Sequence, residues 1–146
     1  MRSDQTFYLI SCVRKKRPAP ALAKDLYLSE WFLRARGFVE ATGHPWFILS
    51  AKYGLVAPDQ LLAPYEETLN RTGIAGRRAW ARGVEAQMDE QLPDFYRVVV
   101  LAGQRYREFL MDYLSRRWVV EVPLEGLRIG EQLSWLGRQM AHEPRR

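Results

Sequence analysis

Apolar residues fall along this chain in two alternating rhythms. Short runs with apolar residues on both parities are Phe7-Tyr8-Leu9-Ile10-Ser11-Cys12-Val13, Trp46 to Ala51, Tyr96 to Gly103 and Trp118 to Val122. A strand that is apolar on both faces is covered on both, as in a parallel sheet. Between these runs, apolar residues recur at helical spacing over Ala21 to Ala41, Ile74 to Leu92, Gln104 to Arg116 and Ile129 to Met140. Gly43 and Pro45 end the first helix, and Pro93 lies beyond the second. Neither rhythm holds from Leu55 to Thr72, where Pro58 and Pro64 intervene. The apolar Leu55, Leu61, Leu62, Tyr65 and Leu69 predict an ordered loop there that packs on the domain and walls a site. The alternation predicts a single-domain α/β protein over residues 1–146, with a fraying tail at 141–146. Its sheet is expected to be mostly parallel and four-stranded, with helices on both faces, in a Rossmann-like arrangement.

In such a sheet, ligands bind beyond the carboxyl ends of the strands. The polar punctuation of this chain falls there. Ser11, Cys12 and Lys16 follow the first strand, and Ser50, Lys52, Tyr53 and Gly54 the second. Gly103 and Tyr106 follow the third, and Pro123 and Gly126 the fourth. The reading requires Cys12, Lys52 and Tyr106 to meet around one concave rim. The run Arg14-Lys15-Lys16-Arg17 suits phosphate, or is a solvated loop. Cys12 is a small core residue or, if exposed beside Lys15 and Lys16, a thiolate nucleophile or oxidation sensor. Lys52 suits phosphate binding, or a Schiff base with an abasic-site aldehyde. Tyr53, Tyr65 and Tyr106 are able to stack on a nucleobase or to pack in the core. Asp59, Glu66 and Glu67 are the carboxylates best placed in sequence to activate water.

Charge and composition narrow the partners. The chain has 22 Lys and Arg against 17 Asp and Glu, a net charge of +5 that suits a polyanion or a solvated arginine-rich surface. A single cysteine cannot pair within the chain, so a reducing, cytoplasmic setting is expected. No signal peptide is recognised, and no apolar run approaches the roughly 18 residues of a membrane span. His44 and His142 lack partners at metal-ligand spacing, so neither a metal nor another cofactor is expected. No P-loop, dinucleotide fingerprint or Gly-x-Ser-x-Gly elbow occurs.

Several segments carry a resemblance. They are Ser11-Cys12 with Lys16, Ala23-Lys24-Asp25-Leu26-Tyr27 with Ser29, Ile48 to Leu55, Pro64-Tyr65, Ala102-Gly103 with Tyr106, and Pro123-Leu124 with Gly126-Leu127. From about Tyr8 to Leu136 the chain resembles a small bacterial and phage family of unknown function, of the DUF6884 type. That family is similar to the YaaA peroxide-stress proteins. The resemblance implies DNA binding and protection under oxidative stress, and a fold distantly similar to uracil-DNA-glycosylase-like domains. The large insertions of full-length YaaA proteins are absent, so a DNA-binding element lying in them does not carry over.

Strand ends and resemblance together nominate Cys12, Lys52 and Asp59 as reactive groups. They nominate Ser11, Lys16, Tyr27, Ser50, Tyr53, Gly54, Tyr65, Gly103 and Tyr106 for substrate binding. The expected function is a nucleic-acid or nucleotide-directed enzyme of the DNA-repair glycosylase type, acting at a nucleobase or its N-glycosidic linkage. DNA is expected before RNA. The alternatives are a non-catalytic DNA-binding protein of stress response or phage defence, and a small-nucleotide sensor.

Overall fold

A computed structural model describes residues 5–142. Its main sheet is built from β1 (Thr6–Ser11), β3 (Trp46–Ser50), β4 (Gly54–Val56), β6 (Arg97–Leu101) and β7 (Val119–Glu121), in the order β4-β3-β1-β6-β7. A two-residue ladder pairs β2 (Ala21–Leu22) with β5 (Leu61–Leu62). The helices are α1 (Ala23–Leu26), α2 (Glu30–Thr42), α3 (Ile74–Gln91), α4 (Gln104–Arg107), α5 (Met111–Arg117) and α6 (Ile129–His142). A 3₁₀ turn spans Leu69–Arg71.

The central strand β1 runs parallel to both neighbours, with Tyr8 opposite Trp46 on β3 and Val99 on β6. Phe7, Leu9 and Ile10 are wholly buried, as the two-sided apolar pattern requires. The sheet nevertheless has five strands, not four. Strand β4 folds back antiparallel on β3, with Leu49 opposite Leu55 and Ser50 opposite Gly54. Gly54 permits the reversal with a positive φ of 75°. Leu55 and Val56 are then buried at the sheet edge, although the prolines that follow mark the segment as loop in the sequence.

Two predicted helices are interrupted. Over Ala21 to Ala41 the chain forms β2, α1, a break at Tyr27-Leu28-Ser29, and then α2. The break lies along the basic segment: the Arg17 amide donates to the Leu26 carbonyl at 2.9 Å, and the Leu28 amide to the Lys15 carbonyl at 2.9 Å. Ser29 then caps α2 by accepting from the Phe32 amide at 3.1 Å, and Gly43 closes it in the left-handed region. The second interruption separates α4 from α5, where the Leu110 amide turns back to the Arg107 carbonyl. At the chain's end α6 continues through His142, into the stretch expected to fray. Residues 143–146 of that predicted tail lie outside the described residues.

Helices cover both faces. On one, α2 meets α6 through Phe38 and Trp135, whose rings cross edge-on at 5.5 Å. On the other, the Tyr113 hydroxyl of α5 donates to Asp89 of α3. The strand order accounts for this division under the general right-handed rule for parallel crossovers, because the chain leaves β1 toward β3 but leaves β6 toward β7. Neighbouring central strands thus send their connections in opposite directions, which opens a crevice at their carboxyl ends. Among the described residues, no helix is long and apolar enough to cross a membrane.

Candidate functional site

The crevice beyond β1 and β6 is lined by polar groups from three stretches of chain. Cys12 follows directly on β1, and its thiol donates to the Tyr106 hydroxyl at 3.5 Å while accepting from the Ala51 amide at 3.4 Å. Tyr106, on α4, also accepts from the Leu69 amide at 3.3 Å and faces the Thr68 hydroxyl at 3.5 Å. The irregular loop after β5 is therefore tied to the third strand end through a single phenol.

A second polar chain lies behind Cys12. Ser50, at the end of β3, accepts from the Lys52 and Tyr53 amides and donates to the Tyr65 hydroxyl at 2.8 Å. The Tyr65 and Tyr27 hydroxyls are 2.7 Å apart. Tyr27 is wholly buried, and Tyr65 and Tyr106 nearly so. Burial pushes all three phenols well above the ordinary range, with the Cys12 sulfur adding to the effect. They stay neutral at physiological pH and act as hydrogen-bonding groups, not as bases. The Lys16 ammonium lies 4.4 Å from the centre of the Tyr65 ring and 5.8 Å from that of Tyr27. Partial burial lowers its pKa, while Cys12, Glu66 and Glu67 oppose that shift.

Above this floor is a cleft of about 140 Å³. Cys12, Lys16 and Tyr106 line its depth, and Arg14, Glu66, Glu67, Thr68 and Arg71 form its sides and rim. None of Arg14, Lys16, Arg71, Glu66 and Glu67 forms an ion pair with a described residue. Three cations and two carboxylates thus share one small opening. Among the described residues, no three His, Cys, Asp or Glu side chains group to hold a metal ion.

The nominated residues divide into groups. Cys12, Lys16, Tyr27, Ser50, Tyr65 and Tyr106 form the cleft and its hydrogen-bonded backing. Tyr53 packs edge-on against Tyr65 at 5.5 Å, yet it lines a neighbouring shallow groove with Lys52 and Gly54. Lys52 is exposed, with its ammonium 5.4 Å from the centre of the Tyr53 ring, so the rim required of Cys12, Lys52 and Tyr106 joins only the first and last. Trp80 stands between the two openings: its indole N–H donates to the Ser50 carbonyl at 2.8 Å, and its ring meets Tyr106 at 5.8 Å. Gly54 is explained by the β3–β4 turn and by the close approach of the Gln87 side chain. Asp59 is 80% exposed and paired with Lys24 at 3.0 Å, away from the cleft. Ser11 and Gly103 open on a third groove, while Pro123 and Gly126 line none of these three.

Thr68, Arg71 and Trp80 were not nominated as site residues, and Arg14 was read only within the basic run Arg14-Lys15-Lys16-Arg17 as suited to phosphate or solvent. Arg71 belongs to a cluster of cations with Arg77, Arg78 and Arg82 that is visible in the sequence, but nothing in the sequence distinguishes Thr68 or Trp80. A curated relative, the uncharacterized protein YfjM of Bacillus subtilis (strain 168), is 29% identical over 138 residues, covering 89% of this chain and 91% of its own. The model of a family of unknown function matches residues 7–138, nearly the whole described chain. With that match over the sheet, its helices and the cleft alike, the chain belongs to the DUF6884 family.

Proposed function

We propose that the protein is a nucleotide-directed enzyme that cleaves an N-glycosidic linkage. The observation that carries this reading is the cleft itself. Three cations without ion-pair partners surround two adjacent carboxylates at the crevice where open α/β sheets bind ligands. Arg14, Lys16 and Arg71 hold the phosphate, Arg by its planar fork and Lys16 as a point charge. Glu66 or Glu67 takes a proton from water as the water oxygen bonds to the anomeric carbon. The C–N bond breaks, its electron pair leaves with the base, and solvent protonates the departing nitrogen. Cys12 and Tyr106 hold the floor in place through their mutual hydrogen bond. The mostly parallel sheet, and the glycosylase-like fold that the family resemblance implies, agree with this chemistry.

The test is release of free base, followed by chromatography, from nucleoside 5′-monophosphates and from oligonucleotides containing uracil or oxidised bases. One of Glu66→Gln and Glu67→Gln should reduce the rate by about 10²–10⁴-fold, the usual contribution of a general base. No base release from any of these substrates overturns the reading. A second reading, non-catalytic DNA binding, is favoured by the exposed Arg78 and Arg82 on the amino-terminal half of α3. It predicts salt-dependent DNA affinity with no base release.

A further inference from the structure

We infer that a bound nucleotide lays its base in a second groove that adjoins the cationic cleft, so that the substrate is a nucleoside phosphate gripped at both ends. The inference deepens the reading of the cleft as a phosphate site and rests on it. The cleft holds about 140 Å³. Sites that enclose a whole drug-sized ligand hold roughly 300–1,000 Å³. A phosphate with part of its sugar fits, and a base must lie outside.

The adjoining groove, of about 500 Å³, shares Val13 and Arg14 with the cleft. Trp31 of α2 and Ile129 and Leu133 of α6 wall it, and it ends on Ser11 and Gly103 at the carboxyl ends of the two central strands. The Trp31 indole is fixed in place. Its N–H donates to the Gln132 side-chain oxygen at 2.8 Å, and the Gln132 amide donates to the Leu127 carbonyl at 2.9 Å. With its polar edge occupied, the ring offers the groove an immobilised aromatic surface, and any nucleobase stacks on such a surface. No Cβ stands on Gly103, and the space one would occupy is open, so the floor of the groove is unobstructed.

Ser11 supplies the polar contact. It is only 6% exposed and lines the groove, and its hydroxyl has no hydrogen-bond partner among the described residues. Its oxygen keeps some access to the mouth of the groove and is free to meet a ligand heteroatom there. Alternation along β1 separates the duties: Ser11 faces the groove and Cys12 the cleft.

The test is isothermal titration with the four common nucleoside 5′-monophosphates and with ribose 5-phosphate, which lacks the base. Ile129 is 61% exposed, so Ile129→Arg fills the groove without burying a charge. Ser11→Ala removes an unpaired hydroxyl and leaves the fold intact. Both should weaken nucleotide binding, Ile129→Arg by about tenfold or more, while ribose 5-phosphate binds unchanged. Lys16→Ala should weaken both ligands. If only Lys16→Ala affects nucleotide binding, the base does not use this groove and the inference fails, while the phosphate site stands. If no nucleoside monophosphate binds the wild-type protein, both fail.

Discussion

Raising the pH through the range in which free tyrosine ionises interrogates the buried phenols behind the cleft. Tyr27, Tyr65 and Tyr106 are 0%, 7% and 6% exposed, and burial raises the pKa of each above the ordinary value of 10.0. Folded values above unfolded ones mean that the native state keeps protons that the unfolded chain has lost. The stability tied to these groups is therefore complete below about pH 10 and falls as the pH rises further. Each fully retained proton costs about 1.4 kcal/mol per pH unit, and about 1 kcal/mol between pH 10 and 11, where the unfolded phenol is still titrating. Three phenols together give a loss of about 3 kcal/mol over that unit, against a total stability of roughly 5–15 kcal/mol. Lys16, whose folded pKa is lowered, contributes a slope of opposite sign, but it is one group against three. The assay is urea unfolding at a series of pH values, with phenolate absorbance of the native protein recorded alongside. Tyr65→Phe and Tyr106→Phe should each flatten the slope by about one proton. A free energy that stays level from about pH 9 to 11, or native phenols that all titrate together near the ordinary value, refutes the reasoning.

Further outcomes follow from single contacts. In a double-mutant cycle, Ser50→Ala and Tyr65→Phe should couple by about 0.5–3 kcal/mol, since each removes a partner of the other's buried hydroxyl; strictly additive losses in urea unfolding would show that the chain is not a unit. Gly54→Ala should destabilise by about 1–3 kcal/mol, because it combines a left-handed backbone with the Gln87 side chain that accepts from the Leu55 amide; an unchanged melting temperature would contradict this. Asp59→Asn should leave base release unchanged and alter stability by less than about 0.5 kcal/mol, because the Asp59 carboxylate that pairs with Lys24 is 80% exposed; a large loss of activity would return Asp59 to the site.

The strands that a sequence announces best are those whose residues must be apolar on both faces, and β1, β3 and β6 are of this kind. Strand β4 escaped because its signal is three residues long and is followed by Pro58. Its antiparallel pairing depends on a turn at Gly54, not on any periodicity. The break at Tyr27 was hidden for a related reason. Helical spacing continues through it, while the contacts that stop the helix come from Lys15 and Arg17, paired from a different part of the chain. Of the site, Cys12, Lys16 and Tyr106 were legible because residues just beyond neighbouring parallel strands must lie close together. Lys52 was misled by the same rule, since the reversal into β4 turns its side chain toward a different groove. The company that Arg71, Glu66 and Glu67 keep depends on how the loop after β5 folds back onto Tyr106, which no local pattern records.

The central claim is that Arg14, Lys16 and Arg71 converge to bind the phosphate of a nucleotide. A crystal structure of the protein grown with a nucleoside 5′-monophosphate tests it most directly. The account predicts phosphate density in the cleft within hydrogen-bonding reach of Lys16, with the base extending past Arg14 toward Trp31. Nucleotide density at another surface, with the three cations making no contact to it, would contradict the account.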